Sequence, residues 1–227
     1  MATNEELMAK LKNRRILPEL GDMAPIPNEK LPINPMPGTE VIITKAVKDW
    51  LDKIANKTFD TNKEIMFFMF GKVKGQQVIF DAGFVDNNNI GDWDNASASP
   101  ALNKALNDFI ANAPKDGSCI VGWGHTHARI GKWYTNFSFA DMTGLTEFRN
   151  GYDVFRGKDG IPESEQINLC AVLLTGGNYN FVFFNGEDYY RFSKVFVIDE
   201  FNRKTQLPCY GPDIALTQTR FYRNQRG

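Results

Sequence analysis

Runs of apolar residues alternate with helix-periodic stretches from residue 40 onward. Glu40 to Thr44 is short, β-branched and apolar, which predicts a strand. Lys45 to Thr58 carries Ala46, Trp50, Leu51 and Ile54 at helical spacing, which predicts an amphipathic helix. Glu64 to Lys72 (EIMFFMFGK) is a buried-strand pattern ended by glycine. Gly75 to Asp86 then follows a tight turn as its hairpin partner. Asp86 to Pro100 is polar and aperiodic, with three consecutive asparagines, and reads as a loop. Ala101 to Ala113 is a helix with Leu102, Leu106, Phe109 and Ile110 on one side. Gly117 to Arg129 contains a central strand, and Ser138 to Asn150 reads as a helix. Asn168 to Glu187 reads as two strands around a Thr-Gly-Gly-Asn turn, and Tyr189 to Ile198 as a further β-rich stretch. The order β-α-β-β-α-β-α-β-β predicts one mixed α/β (α+β) domain, a central sheet flanked by helices.

The flanks differ. Residues 1–39 hold six of the eleven prolines, at positions 18, 25, 27, 32, 35 and 37, after a charged helical pattern from Glu5 to Arg15. Proline fixes φ and removes a donor, so this segment reads as an extended arm, strapped along the domain or free to meet a partner. The expected organisation is therefore an arm over 1–39, a domain over 40–198 and an extension over 199–227. The extension carries Arg203, Lys204, Arg220, Arg223 and Arg226.

Composition narrows the function classes. With 26 basic and 27 acidic side chains in 227 residues, the chain lacks the basic excess of a nucleic-acid binder. No apolar run is long enough to span a membrane, and the start lacks a signal-peptide core, so a cytoplasmic protein is expected. Delivery by a signal-independent secretion route stays compatible with that pattern. Cys119, Cys170 and Cys209 are too scattered for a disulfide framework or a CxxC site.

The two histidines of the chain both fall in His125-Thr126-His127. Chance alone would place two histidines at this spacing with a probability of roughly 1 %. They end an apolar run, and residues i and i+2 of a strand share a face, so the two imidazoles can converge on one divalent cation. Gly122 and Gly124 are expected to leave room on the neighbouring backbone. A third ligand is offered by Asp141 in Ser138-Phe-Ala-Asp141, which would also bring the Ser138 hydroxyl alongside. The same four residues spell a capping box, with Ser138 as N-cap. Glu64 opens a buried strand, where a carboxylate is costly without a partner; it is either a non-ligand base or an exposed strand-end charge.

Glu64, His125-Thr-His127 and Ser138-x-x-Asp141, in that order and on those elements, resemble the JAMM (JAB1/MPN/Mov34) metalloprotease signature. The resemblance covers roughly residues 40 to 190. It implies a JAB/MPN, cytidine-deaminase-like architecture and a zinc-dependent peptidase or isopeptidase of deubiquitinase-like activity. It further implies Zn²⁺ on His125, His127 and Asp141, Glu64 as general base, and Ser138 beside the developing oxyanion. The implied partner is a protein or peptide substrate, ubiquitin-like conjugates among them, with neither nucleic acid nor membrane. An MPN-type interaction subunit without activity is the alternative, and the oligomeric state is left open. Two departures stand out: Ala128 replaces the usual proline, and the ten residues between His127 and Ser138 exceed the family's usual spacing. An insertion there makes Lys132, Trp133 and Tyr134 candidates for lining the substrate path.

Overall fold

The computed structural model describes residues 34–35, 40–91, 98–128, 137–156, 160–175, 177–184, 189–192 and 194–209. The helical pattern of the arm, the distal arginines, and the candidates Lys132, Trp133 and Tyr134 lie outside the described residues.

The strands are β1 (Asn34–Pro35), β2 (Glu40–Thr44), β3 (Ile65–Lys74), β4 (Gln77–Ile90), β5 (Cys119–Thr126), β6 (Asn168–Thr175), β7 (Asn178–Phe184), β8 (Tyr189–Arg191), β9 (Val195–Ile198) and β10 (Lys204–Gln206). The helices are α1 (Lys45–Thr61), α2 (Pro100–Asn112), α3 (Phe139–Gly151) and the single turn α4 (Asp153–Arg156). The strands form one mixed sheet in the order β1-β8-β7-β6-β5-β3-β4-β2-β9-β10. The central strand β5 runs antiparallel to β3 and parallel to β6. The expected mixed α/β domain with a helix-flanked sheet is what the chain adopts.

The sheet is covered on both faces. Against one face α1 packs Val47, Leu51 and Ile54 onto Phe67, Phe80, Val172 and Phe181. Against the other, Leu102 and Leu106 of α2 and Leu145 and Phe148 of α3 meet Met66, Phe68, Val121 and Trp123. Every residue of β5 is buried, which is why its sequence reads as a continuous apolar run rather than an alternation. Helix starts follow from side-chain caps. The Thr44 hydroxyl accepts from Val47 N at 3.3 Å, and Ser99 accepts from Leu102 N at 3.1 Å.

Three local expectations need correction. The buried stripe of α1 is Val47, Leu51, Ile54 and Thr58; Ala46 is exposed. The stripe is turned by one residue because Trp50 lies along the border, where its ring meets Phe67 edge-on at 5.6 Å. The second correction is that β4 runs through the three asparagines to Ile90, where the sequence pattern predicts a loop. Pairing on both sides carries the strand across them despite their low strand propensity: Phe67 faces Val85, Ile65 faces Ile90 after a register shift, and Gly91 N donates to Glu64 O at 2.9 Å.

The β-rich stretch Tyr189 to Ile198 is two strands on opposite flanks of the sheet: β8 pairs with β7, and β9 pairs with β2. Six strands lie between β8 and β9 in the sheet order. Flat, that separation would be about 34 Å at the usual strand spacing. The four steps from Arg191 to Val195 reach no more than about 14 Å. The sheet must therefore curl until its flanks approach. Tyr179 N of β7, donating to Pro208 O just after β10 at 3.1 Å, joins them. Phe192, Val195 and Leu207 close the apolar layer around α1.

The third concerns the glycines of β5. They do not open space beside the histidines, because alternation points them to the opposite face. A Cβ on Gly124 would lie 2.2 Å from Phe67 Cε2, and one on Gly122 would lie 3.0 Å from Val172 Cγ2. The space they leave is taken by the core under α1.

Candidate metal centre

His125 is the penultimate residue of β5, on the face that carries Val121 and Trp123. His127 follows two residues later, its backbone held by an N–H bond to Leu174 O at 3.1 Å. Both imidazoles turn their Nε2 atoms inward, 3.2 Å apart. Asp141, in the first turn of α3, completes the group: Oδ1 is 3.2 Å from His125 Nε2, and Oδ2 is 3.4 Å from His127 Nε2. The three side chains are 5 %, 8 % and 15 % exposed, so the cluster is largely withdrawn from water.

These spacings fit a metal ion. Tetrahedral coordination with bonds of about 2.0–2.1 Å puts neighbouring ligand atoms about 3.3–3.4 Å apart. Protons alone serve the cluster poorly. Two Nε2–H groups aimed at one carboxylate would face each other across 3.2 Å; with one proton removed, a bare nitrogen would face a carboxylate oxygen. A single cation satisfies all three lone pairs. The His125, His127 and Asp141 ligand atoms all lie within 4.8 Å of one another, and the group can hold a metal ion.

The carboxylate is held from behind. Asp141 Oδ2 accepts from Ser138 N at 2.6 Å, while the Ser138 hydroxyl accepts from Asp141 N at 3.1 Å. This is a complete capping box. The capping-box spelling therefore does not compete with a place in the His-His-Asp group: the box locks the carboxylate in the orientation that aims it at the histidines. The positive end of α3 favours its negative charge. Burial acts most strongly on the Asp141 carboxyl and pushes it up. The facing imidazoles oppose this and hold it well below the usual carboxylate range. Aromatic rings wall His125, with Trp123 at 5.7 Å and Phe137 edge-on at 6.0 Å between centroids.

Glu64 is buried rather than an exposed strand-end charge. It immediately precedes β3, where Met66 faces His125. It stands outside the three-ligand group. Ser138 is exposed at the mouth of α3, and its oxygen accepts from Asp141 N.

Two threonines escape a reading of the sequence. Thr126 and Thr58 are 1 % and 3 % exposed, and their hydroxyls are hydrogen-bonded at 2.7 Å. The signal is present in the alternation of β5, which turns Thr126 into the core, where a hydroxyl requires a partner. The thiols of Cys119 and Cys170 are poor candidates for a competing nucleophile. Burial pushes both Cys119 and Cys170 up from the ordinary thiol range. Among the described residues no helix is long and apolar enough to cross a membrane.

No family profile matches the chain, and no curated protein matches it. Among solved structures it is similar to the solution structure of protein DSY2949 from Desulfitobacterium hafniense. The TM-score is 0.41 and the identity 11 %, over 70 % of this chain and 94 % of that one.

Proposed function

We propose that the chain is a zinc-dependent peptidase or isopeptidase with a JAB/MPN-type architecture. It hydrolyses an amide bond in a protein substrate, of which a ubiquitin-like conjugate is the leading class. One observation carries this reading: two imidazole nitrogens and one carboxylate converge at 3.2–3.4 Å, with a buried non-ligand glutamate at the start of the adjacent strand. Three protein ligands of N and O type, leaving a position open, are the pattern of catalytic rather than structural zinc. His125, His127 and Asp141 would hold the ion. When bound, zinc supplies Lewis acidity that brings the pKa of water to about 7.

The remaining work falls to the chain's own residues. Glu64 takes a proton from the attacking water at its carboxylate and returns it to the leaving amine. There is no further histidine in the chain to serve as that base. Ser138 turns its hydroxyl proton to the carbonyl oxygen of the scissile amide as negative charge grows there. The capping box holds Ser138 Oγ in place for this, because its lone pair is already committed to Asp141 N.

The test pairs metal analysis with cleavage of ubiquitin-like conjugates and a peptide library. The wild-type chain should carry one zinc and cleave. His125→Ala should lose both metal and cleavage, and Glu64→Gln should keep zinc and lose turnover by at least about 10²-fold. A Glu64→Gln protein that cleaves at the normal rate removes Glu64 from the mechanism. Stoichiometric zinc without hydrolysis of any substrate would assign the chain to the non-catalytic, MPN-type interaction subunits.

A further inference from the structure

The middle residue of the His125-Thr126-His127 tripeptide faces away from the metal group and joins three elements. Thr126 Oγ1 accepts the backbone N–H of Ile65 at 2.9 Å and shares a 2.7 Å hydrogen bond with Thr58 Oγ1. Thr58 belongs to the last turns of α1, and Ile65 opens β3 directly after Glu64. In the β3–β5 ladder Met66 faces His125, so Ile65 stands opposite Thr126. At this step the side-chain hydroxyl accepts the Ile65 N–H. The strand therefore stays anchored at the point where its two ligands leave it. On the other side of β5, His127 N is tied to Leu174 O at 3.1 Å.

We propose that Thr126, backed by Thr58, is a positioning residue that sets His125 and His127 in register with each other and with Glu64. The inference rests on the metal-centre reading above. Its physical basis is the sharing of one hydroxyl. Thr126 lies between the two ligands, so fixing its side chain fixes the backbone from which both imidazoles project. The same hydroxyl holds the amide adjacent to Glu64. In an apolar layer, a hydroxyl or amide left without its partner moves until it finds another. Valine at position 126 would match threonine in shape but accept no hydrogen bond. The Ile65 amide and the Thr58 hydroxyl would then both lose the partner they have here.

The test uses the full chain with Thr126→Val, Thr126→Ser and Thr58→Val. Three quantities are read: zinc affinity by chelator competition, the ligand-field spectrum of the Co²⁺-loaded protein, and the melting temperature of the metal-free protein. Thr126→Val should weaken zinc binding by about 10–100-fold, the usual effect of removing a partner that orients ligands, and should shift the Co²⁺ bands. Thr126→Ser, which keeps the hydroxyl, should restore affinity to within about threefold of wild type, and Thr58→Val should fall between. A Thr126→Val protein with wild-type zinc affinity and spectrum overturns the inference, even if its metal-free form melts lower. So does a Thr126→Ser protein as impaired as Thr126→Val. Should Thr126→Val fail to fold, Thr58→Val decides, and unchanged affinity there overturns the inference. A wild-type chain that takes up no zinc overturns the metal-centre reading, and this inference with it. Zinc-binding wild type beside unaffected variants overturns this inference alone.

Discussion

At the scale of single residues, the candidate site is legible because its side-chain types are scarce and closely spaced. Two histidines at i and i+2 on a strand must share a face, and they do. Asp141 is less determined, because a capping box and a ligand use the same spelling; the structure has Asp141 in the box and aimed at both imidazoles. What no sequence pattern reveals is the role of Gly124. Its missing Cβ admits the Phe67 ring, a contact between strands that nothing local encodes. Gly124→Ala puts a methyl 2.2 Å from Phe67 Cε2. Overpacking of this kind costs about 1–3 kcal/mol. The urea midpoint of the metal-free variant should fall accordingly, with the slope of the transition unchanged.

At the scale of elements, periodicity locates the helices and most strands, and errors gather where partners decide. The asparagines near the end of β4 look like a loop; they lie in the register shift between the Phe67–Val85 and Ile65–Ile90 pairs. Lys57 on α1 adds a hydrogen bond from Nζ to Asn87 O at 3.0 Å. Tyr189 to Ile198 reads as β-rich, and only the pairing shows that its halves belong to opposite flanks of the sheet. In helix α3 the first turn carries both the cap and the carboxylate of the candidate metal group. Ser138→Ala should lower stability by about 1 kcal/mol through loss of the N-cap, read by thermal or urea denaturation. It should also reduce kcat by about 10²–10³-fold if the hydroxyl supports the oxyanion. A stability loss with unchanged kcat would leave Ser138 as a cap only.

At the scale of the whole molecule, the metal group joins the end of β5 to the start of α3, which are otherwise linked through a long connection. An ion bound there stabilises the folded state alone. At a free concentration one hundred times Kd the gain is about 2.7 kcal/mol. Zinc should therefore raise the melting temperature of the wild-type chain and a chelator should reverse the rise, while His125→Ala should show neither response in a thermal melt. By itself, the sequence determined the mixed α/β class, the central buried strand and the residues able to ligate a metal, because apolar periodicity and residue chemistry are local properties. Only the tertiary structure decided that three ligand atoms converge within 4.8 Å, that Thr126 is tied to Thr58, and that the sheet curls until its flanks meet. Those outcomes depend on pairings between residues distant along the chain, where register and close packing, rather than any local pattern, choose the neighbour.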